Sequence, residues 1–399
     1  MRVGAACANM SILLTGFEQL IPVDIAPIDH GALVIENGKI IWIGKASQAP
    51  EASETHHYPG CIALPGLIDS HTHPVFAGNR ADEFEMRLAG KTYQEIAQAG
   101  GGIMKTVRET READFETLKA LTKKRLETSM SFGVTTIECK SGYGLTTESE
   151  IKSLQVLKNL QDELPMDIIS TFMGAHDIPH PGYVDLLCNE MIPAVAELAE
   201  FNDVFCETGY FSVEESRRIL ETGLKYGLKP RIHAEEFSDL EGAIMACDIG
   251  ALSADHLLHL SDKGIQRMAK SETVATLLPG TAFYLRMKDY APARKLLDAG
   301  VTVALATDFN PGSNTSPNLQ LMMTLGCLQM GMHPHEVIQA VTLNAAKSLG
   351  RSHDRGSLTL GKRADIAIFG VSSYQELLYF YGVNTLSGLW VEGENILQG

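Results

Sequence analysis

Residues 61–74, CIALPGLIDSHTHP, run from an apolar stretch straight into Asp69-Ser-His71-Thr-His73. Side chains alternate along a strand, so His71 and His73 project to the same side, where two imidazoles can chelate one ion. Seven later stretches repeat the pattern of a short β-branched run followed by an amphipathic helical one. They are VTTIEC (134–139), DIISTFM (167–173), DVFCE (203–207), PRIHA (230–234), ALSADH (251–256), TVATLL (273–278) and VTVALATD (301–308). With CIALPGLIDS (61–70) as the first, eight strands alternate with helices between about Leu64 and Gly350. That alternation predicts a parallel sheet with crossover helices. Eight units over this length fit an α/β fold of the (β/α)₈ TIM-barrel type, which typically needs roughly 250 residues. The alternative, an open doubly wound sheet, expects a GxGxxG after its first strand, and there is none. Thr147 with Glu150 and Ser212 with Glu215 read as capping boxes that start two of the helices.

Outside this middle the chain is β in character. GALVIENGKIIWIGKA (31–46) holds two alternating runs around Asn37-Gly38, a strong hairpin signal. ADIAIFG (364–370) and LWVEGENIL (389–397), punctuated by Glu392-Gly393, repeat the pattern near the far end. At 399 residues the chain exceeds what one core readily serves. The expectation is a composite β-sandwich domain from 1–63 plus 354–399 and a barrel from 64–353.

Hydrophobic residues make up 45% and charged residues 21%, the usage of a globular enzyme without extended disorder. The formal net charge of −16 repels nucleic acid and anionic membrane, so neither is expected as a partner, and no segment reaches the length of a membrane span. An anionic small-molecule substrate would need a local cation to draw it in. Cys7, Cys61, Cys139, Cys188, Cys206, Cys247 and Cys327 form no CxxC pair and mostly lie in apolar runs, which predicts buried thiols and a cytoplasmic protein.

In a barrel the chemistry collects where strands end. Beyond His71 and His73, the fifth run ends at His233, the sixth at His256 and the eighth at Asp308. Three histidines and an aspartate suit zinc or iron and leave room for a water, whose pKa such an ion brings to about 7. HTH alone is a weak signal. Its weight comes from the other ligand-type residues that end strands elsewhere in the chain.

PGLIDSHTHP (65–74), HAEEF (233–237), ATDFNPG (306–312) and the closing GSLTLGKRADIAIF resemble the amidohydrolase superfamily. VFAGNRADEFEMRLAGKTY (75–93) and ECKSGYG (138–144) narrow the resemblance to the imidazolonepropionases of histidine degradation, over almost the whole chain. The resemblance implies one metal, zinc or iron, held by His71, His73, His233 and Asp308. It also implies hydrolysis of the lactam C–N bond of 4-imidazolone-5-propanoate, and a homodimer.

It further implies that His256 stands beside the metal to hydrogen-bond the substrate carbonyl, and that Glu236 rather than its neighbour Glu235 serves as an acid, a base or a ring-nitrogen partner. Arg80, a planar fork suited to a carboxylate, would take the propionate, with Tyr93, Tyr143 and His176 as further substrate contacts. Asn310, Gly312 and Ser313 follow Asp308 on the last loop and are expected to meet the product's carboxylate or amide end. Which of Glu236, His256 and Asp308 moves the proton stays open at this level.

Binuclear relatives carry a carboxylated lysine after the fourth strand, where this chain has Cys206-Glu207. One metal follows, although Glu207 could offer oxygen to a second ion. Lys140 reads as a structural cation. Gly100-Gly101-Gly102 lacks the residues of a phosphate cradle and reads as a loop near the site. Two rival readings keep the same fold: an aminohydrolase acting on a nucleobase, and a scaffold without catalysis.

Overall fold

The computed structural model describes residues 10–91, 95 and 100–397. Eight parallel strands form one sheet: β1 (Leu67–Thr72), β2 (Val134–Lys140), β3 (Asp167–Ala175), β4 (Phe201–Cys206), β5 (Lys229–Ala234), β6 (Ser253–His256), β7 (Val274–Leu277) and β8 (Val303–Leu305). They pair in sequence order, as right-handed β-helix-β crossovers dictate. The last seam closes just beyond β8. There the Asp308 amide donates to the His71 carbonyl at 3.0 Å and the His73 amide to the Phe309 carbonyl at 2.8 Å. The fold is therefore an eight-stranded parallel α/β barrel with further sheets built from the chain ends.

Those further sheets explain a departure from the sequence reading. The run 61–70 is two strands, Ile62–Pro65 in a six-stranded sheet and β1 in the barrel. Pro65 has no amide to continue a ladder, and at Gly66 the chain presses so closely on Thr135 that a Cβ would collide with its side chain. The six-stranded sheet also takes Ile366–Phe369, Leu386–Val391 and Glu394–Leu397 from the far end of the chain. Opposite it lies a four-stranded sheet containing Ser11–Thr15, Gly31–Glu36, Lys39–Lys45 and Glu54–His57.

The alternation of side chains lets one sheet serve two cores. Ala63, Ile366, Ile368 and Trp390 face the four-stranded sheet, packing with Leu14, Leu33 and Ile35. Their sequence neighbours Ile62, Leu64, Ala367, Phe369, Leu389 and Val391 join the core that surrounds the barrel. Both hairpins turn as their Asn-Gly and Glu-Gly pairs demand: Asn37 and Gly38 have φ of 50° and 74°, and Glu392 and Gly393 have 52° and 78°.

The helix Val213–Lys225 opens with the Ser212/Glu215 capping box. The helix Thr147–Gln161 does not use Thr147. Thr146 caps it, accepting from the Ser149 amide, while Glu150 turns back to the amides of Gly142, Gly144 and Leu145 and braces the loop after β2. Among the described residues no helix is long and apolar enough to cross a membrane.

Replacing Gly66 with Ala should lower stability by about 1–3 kcal/mol, the usual result of forcing a methyl into a filled core. Urea or thermal unfolding measures it, and adding Thr135→Ala should recover part of the loss.

Candidate metal centre and active site

The inward positions of the barrel carry charge where apolar side chains would ordinarily fill it. Period two sends Asp69, Glu138, Lys140, Asp203, Arg231 and Asp255 into the interior, all fully buried. Arg231 donates to Asp255 at 3.0 Å and to the Ser70 carbonyl at 2.8 Å. Lys140 lies 2.8 Å from both Glu138 and Asp203, the structural role its position suggested. Burial alone would raise the Asp255 and Asp203 carboxyls. Arg231 and His71 outweigh it for the first, and His233 and Lys140 for the second, so both are held below the ordinary range. Burial pushes Asp69 up to about 7, against the hydrogen bonds it accepts from Thr307 across the seam.

This charged floor aims the histidines above it. His71 Nδ1 donates to Asp255 at 2.7 Å and His233 Nδ1 to Asp203 at 3.1 Å, which fixes their tautomers and turns their Nε2 lone pairs to one point. His73 Nε2 lies 3.3 Å from each of those Nε2 atoms. Asp308 Oδ1 lies 3.5 Å from His71 Nε2 and 3.4 Å from His73 Nε2. Metal–nitrogen bonds of about 2.0–2.1 Å put neighbouring donors of a tetrahedron about 3.3–3.4 Å apart. Converging lone pairs at this spacing repel one another unless a cation lies between them, so His71, His73, His233 and Asp308 fit a single metal. His256 lies beside this group, and its ring could complete a cluster with His71 and His233.

A cavity of about 1100 Å³ opens onto the cluster from the strand ends and reaches His73, His233 and Asp308. Glu236 lines it. Its Oε2 lies 3.6 Å from His256 Nε2, and burial, then the Asp308 and Glu207 carboxylates, push its carboxyl well above the usual range. A carboxyl so placed favours its protonated form. Glu235 points the other way and accepts from the amides of Gly242 and Ala243 at a helix start. Glu207 is spent on the loop after β5, accepting from the Phe237 and Ser238 amides, the Thr208 amide and the Ser238 hydroxyl, and joins no metal-type cluster among the described residues.

Arg80, Tyr143 and His176 line the same cavity. Arg80 Nε donates to Thr106 at 2.9 Å. Gly312 packs so closely on its guanidinium that a Cβ there would collide with it. His176 Nδ1 donates to the Gly142 carbonyl at 3.0 Å, leaving Nε2 as an acceptor, and its ring stacks on His73 with centroids 5.2 Å apart. Burial pushes the Tyr143 phenol up, so it remains a donor. Tyr93 lies outside the described residues. Asn310, Gly312 and Ser313 reach the cavity, but the Asn310 side chain is turned onto its own loop. It accepts from the Gly312 and Ser313 amides and donates to the Asp308 carbonyl, so it shapes the loop.

Sequence reasoning missed Asp203, Asp255 and Arg231, which orient the ligands, and Thr281, whose hydroxyl donates to Asp308 Oδ2 at 2.5 Å. A signal existed for the first three: each is a charge two residues from another inward polar or aromatic residue in an otherwise apolar run. Arg87 was also missed. It donates to the Gly312 carbonyl at 2.9 Å and lies over the Tyr284 ring at 5.0 Å.

The profile of the amidohydrolase family matches residues 189–396. The imidazolonepropionase of Geobacillus kaustophilus is 51% identical over 377 residues, covering 90% of this chain and 88% of its own. That of Shouchella clausii is 46% identical over 391 residues, covering 94% and 87%. Among solved structures, an adenosine deaminase from Xanthomonas campestris with bound zinc superposes with a TM-score of 0.77 at 16% identity, over 98% of this chain and 93% of that one. An atrazine chlorohydrolase from Arthrobacter aurescens complexed with zinc gives 0.71 at 18%, over 97% and 95%. At those identities the structural likeness is one of fold.

Asp255→Asn should weaken metal binding by about 10- to 100-fold, the usual cost of losing a carboxylate behind a ligating imidazole. Competition with a chromogenic chelator measures it, and circular dichroism checks that the fold survives.

Proposed function

The chain belongs to the amidohydrolase family and, within it, to the imidazolonepropionases, and on that premise we propose how this site hydrolyses the lactam C–N bond of 4-imidazolone-5-propanoate to N-formimidoyl-L-glutamate. The observation that carries the reading is one cavity that reaches His73, His233 and Asp308 of the cluster and also Arg80. A hydrolytic centre and a cation for a carboxylate tail stand together there.

A metal held by His71, His73, His233 and Asp308 supplies Lewis acidity, polarising a carbonyl and acidifying water. The donor set takes zinc or iron, and the zinc of the structural relatives supports zinc. The protein's own groups do the rest. Arg80 binds the propionate, and the Tyr143 hydroxyl and His176 Nε2 flank the ring. His256, kept neutral by burial above all, donates a hydrogen bond to the lactam oxygen as negative charge builds there. Burial raises the Asp308 carboxyl, but the His71 and His73 imidazoles beside it outweigh burial and hold it well below the usual range, so it can accept the proton of the attacking water. Glu236 starts protonated and delivers its proton to the ring nitrogen as the C–N bond breaks.

A nucleobase aminohydrolase would leave Arg80 facing a neutral base. Arg80→Met should therefore raise KM for 4-imidazolone-5-propanoate by about 10- to 100-fold, the worth of a charge-assisted hydrogen bond of about 1.5–3 kcal/mol. An unchanged KM would remove Arg80 from the acid tail. Gly312→Ala should act in the same direction more weakly, by displacing the guanidinium, without loss of stability.

Chelation should abolish the loss of substrate ultraviolet absorbance, and stoichiometric metal should restore it. Metal analysis of protein purified without added metal identifies the ion. A protein that binds none and turns over regardless would overturn the reading.

A further inference from the structure

We propose that Thr281 is a positioning residue for the metal: its hydroxyl locks the Asp308 carboxylate so that Oδ1 alone faces the histidine cluster. The proposal rests on the assignment of Asp308 as a ligand and names a residue outside that donor set.

The terminal torsion of an aspartate is soft and nearly two-fold, so a carboxylate on its own can rotate and exchange its oxygens. In this site the two oxygens have separate partners. Oδ1 lies 3.5 Å and 3.4 Å from His71 Nε2 and His73 Nε2. Oδ2 accepts from the Thr281 hydroxyl at 2.5 Å, with the Ser313 hydroxyl farther off at 3.4 Å. An ionised carboxylate only accepts, so Thr281 must be the donor, and a hydroxyl has one proton to give. Spending it on Oδ2 fixes the plane of the carboxylate. Both groups are buried, with Thr281 at 0% exposure, so water does not compete for the bond.

Thr281 is held to this task by its neighbours. It lies in the first turn of the helix Pro279–Tyr284, directly after β7. Gly280 before it is packed so tightly that a Cβ would collide with the Asn314 amide and come within 2.6 Å of Met322 Sδ. Asn314 in turn donates to the Thr307 carbonyl at 2.5 Å, one residue before Asp308. The helix start and the loop after β8 are therefore one packed unit, and the reach from Thr281 to Asp308 is set by it. Thr281 does not line the substrate cavity, so its influence must pass through Asp308.

The test uses Thr281→Val, which keeps the shape and removes the donor, with Thr281→Ser, which keeps the donor and removes a methyl. Metal affinity is read by chelator competition on the metal-free protein, and kcat and KM at saturating metal. Thr281→Val should bind zinc about 10- to 100-fold more weakly and lose kcat with little change in KM, while Thr281→Ser stays near the parent in both. Unaltered affinity and kcat in Thr281→Val would overturn the proposal. If Thr281→Val fails to fold, Thr281→Ser decides alone: parental zinc affinity and kcat uphold it, and a loss of either overturns it. Asp308→Asn separates the two levels. If that variant binds zinc as the parent does, Asp308 is not a ligand. If it loses zinc and Thr281→Val does not, only the role of Thr281 falls.

Discussion

Two buried chains of charge, Arg231 to Asp255 to His71 and Lys140 to Asp203 to His233, underlie everything else in the barrel. Burying such groups costs several kcal/mol per ion, and the cost is offset only when partners are close and every lone pair is used. Here each aspartate serves a cation and an imidazole, although Asp255 does so through Oδ2 alone and leaves Oδ1 without a hydrogen bond. In formal charge the four carboxylates Glu138, Asp203, Asp255 and Asp308 stand against the two cations Lys140 and Arg231, an excess of two negatives. Asp69, pushed up to about 7 by burial, adds a further partial negative charge near neutral pH. A cation held at the histidine cluster would offset this excess. Residues beneath the cluster thus favour a cation within it.

The same stretch of backbone closes the barrel and presents the ligands. The Asp308 amide donates to the His71 carbonyl at the seam, and Asp308 also presents its carboxylate to the cluster. Its φ of 51° and that of His256, 77°, are unusual for residues with a Cβ and cost about 1–3 kcal/mol each. That strain re-aims a side chain at the end of a strand, where an ordinary extended residue would point into the barrel wall. Because Ile366–Phe369 and Ile62–Pro65 pack one face on the sandwich and the other on the barrel, the two cores support each other.

Much of this was legible in the sequence because it depends on periodicity and on strand ends. Eight alternating runs gave the barrel, and His71, His73, His233 and Asp308 converge as their positions implied. What escaped depends on packing. Asp203 and Asp255 sit in apolar runs where a charge looks like an error of patterning until the opposite cation is seen. Thr281 lies in a helix, where a threonine hydroxyl ordinarily bonds its own preceding turn. The break at Gly66 is set by Thr135, far away in sequence. Thr146 and Thr147 are equivalent as caps until the backbone selects one. Asn310 stands in a promising place, yet its amide satisfies its own loop first, a choice that local hydrogen-bond geometry makes and composition does not express.

The net charge of −16 poses a problem for an enzyme whose substrate is an anion. The solution is local. Arg80, Arg87, Lys91 and Arg286 line the cavity, with Glu83 and Glu236 as its carboxyls outside the histidine cluster among the described residues, and burial pushes the Glu236 carboxyl well above the usual range. At physiological ionic strength fields decay over about 8 Å, so acids elsewhere on the surface are largely screened from an approaching ligand while the cavity cations are not. Within the cavity, low-dielectric walls such as Phe84, Phe283 and Tyr284 strengthen what field remains. In the proposed function, Arg80 therefore has two roles that a surface arginine lacks: drawing the carboxylate past an acidic exterior and, packed against Gly312, setting the distance of the ring from the histidine cluster.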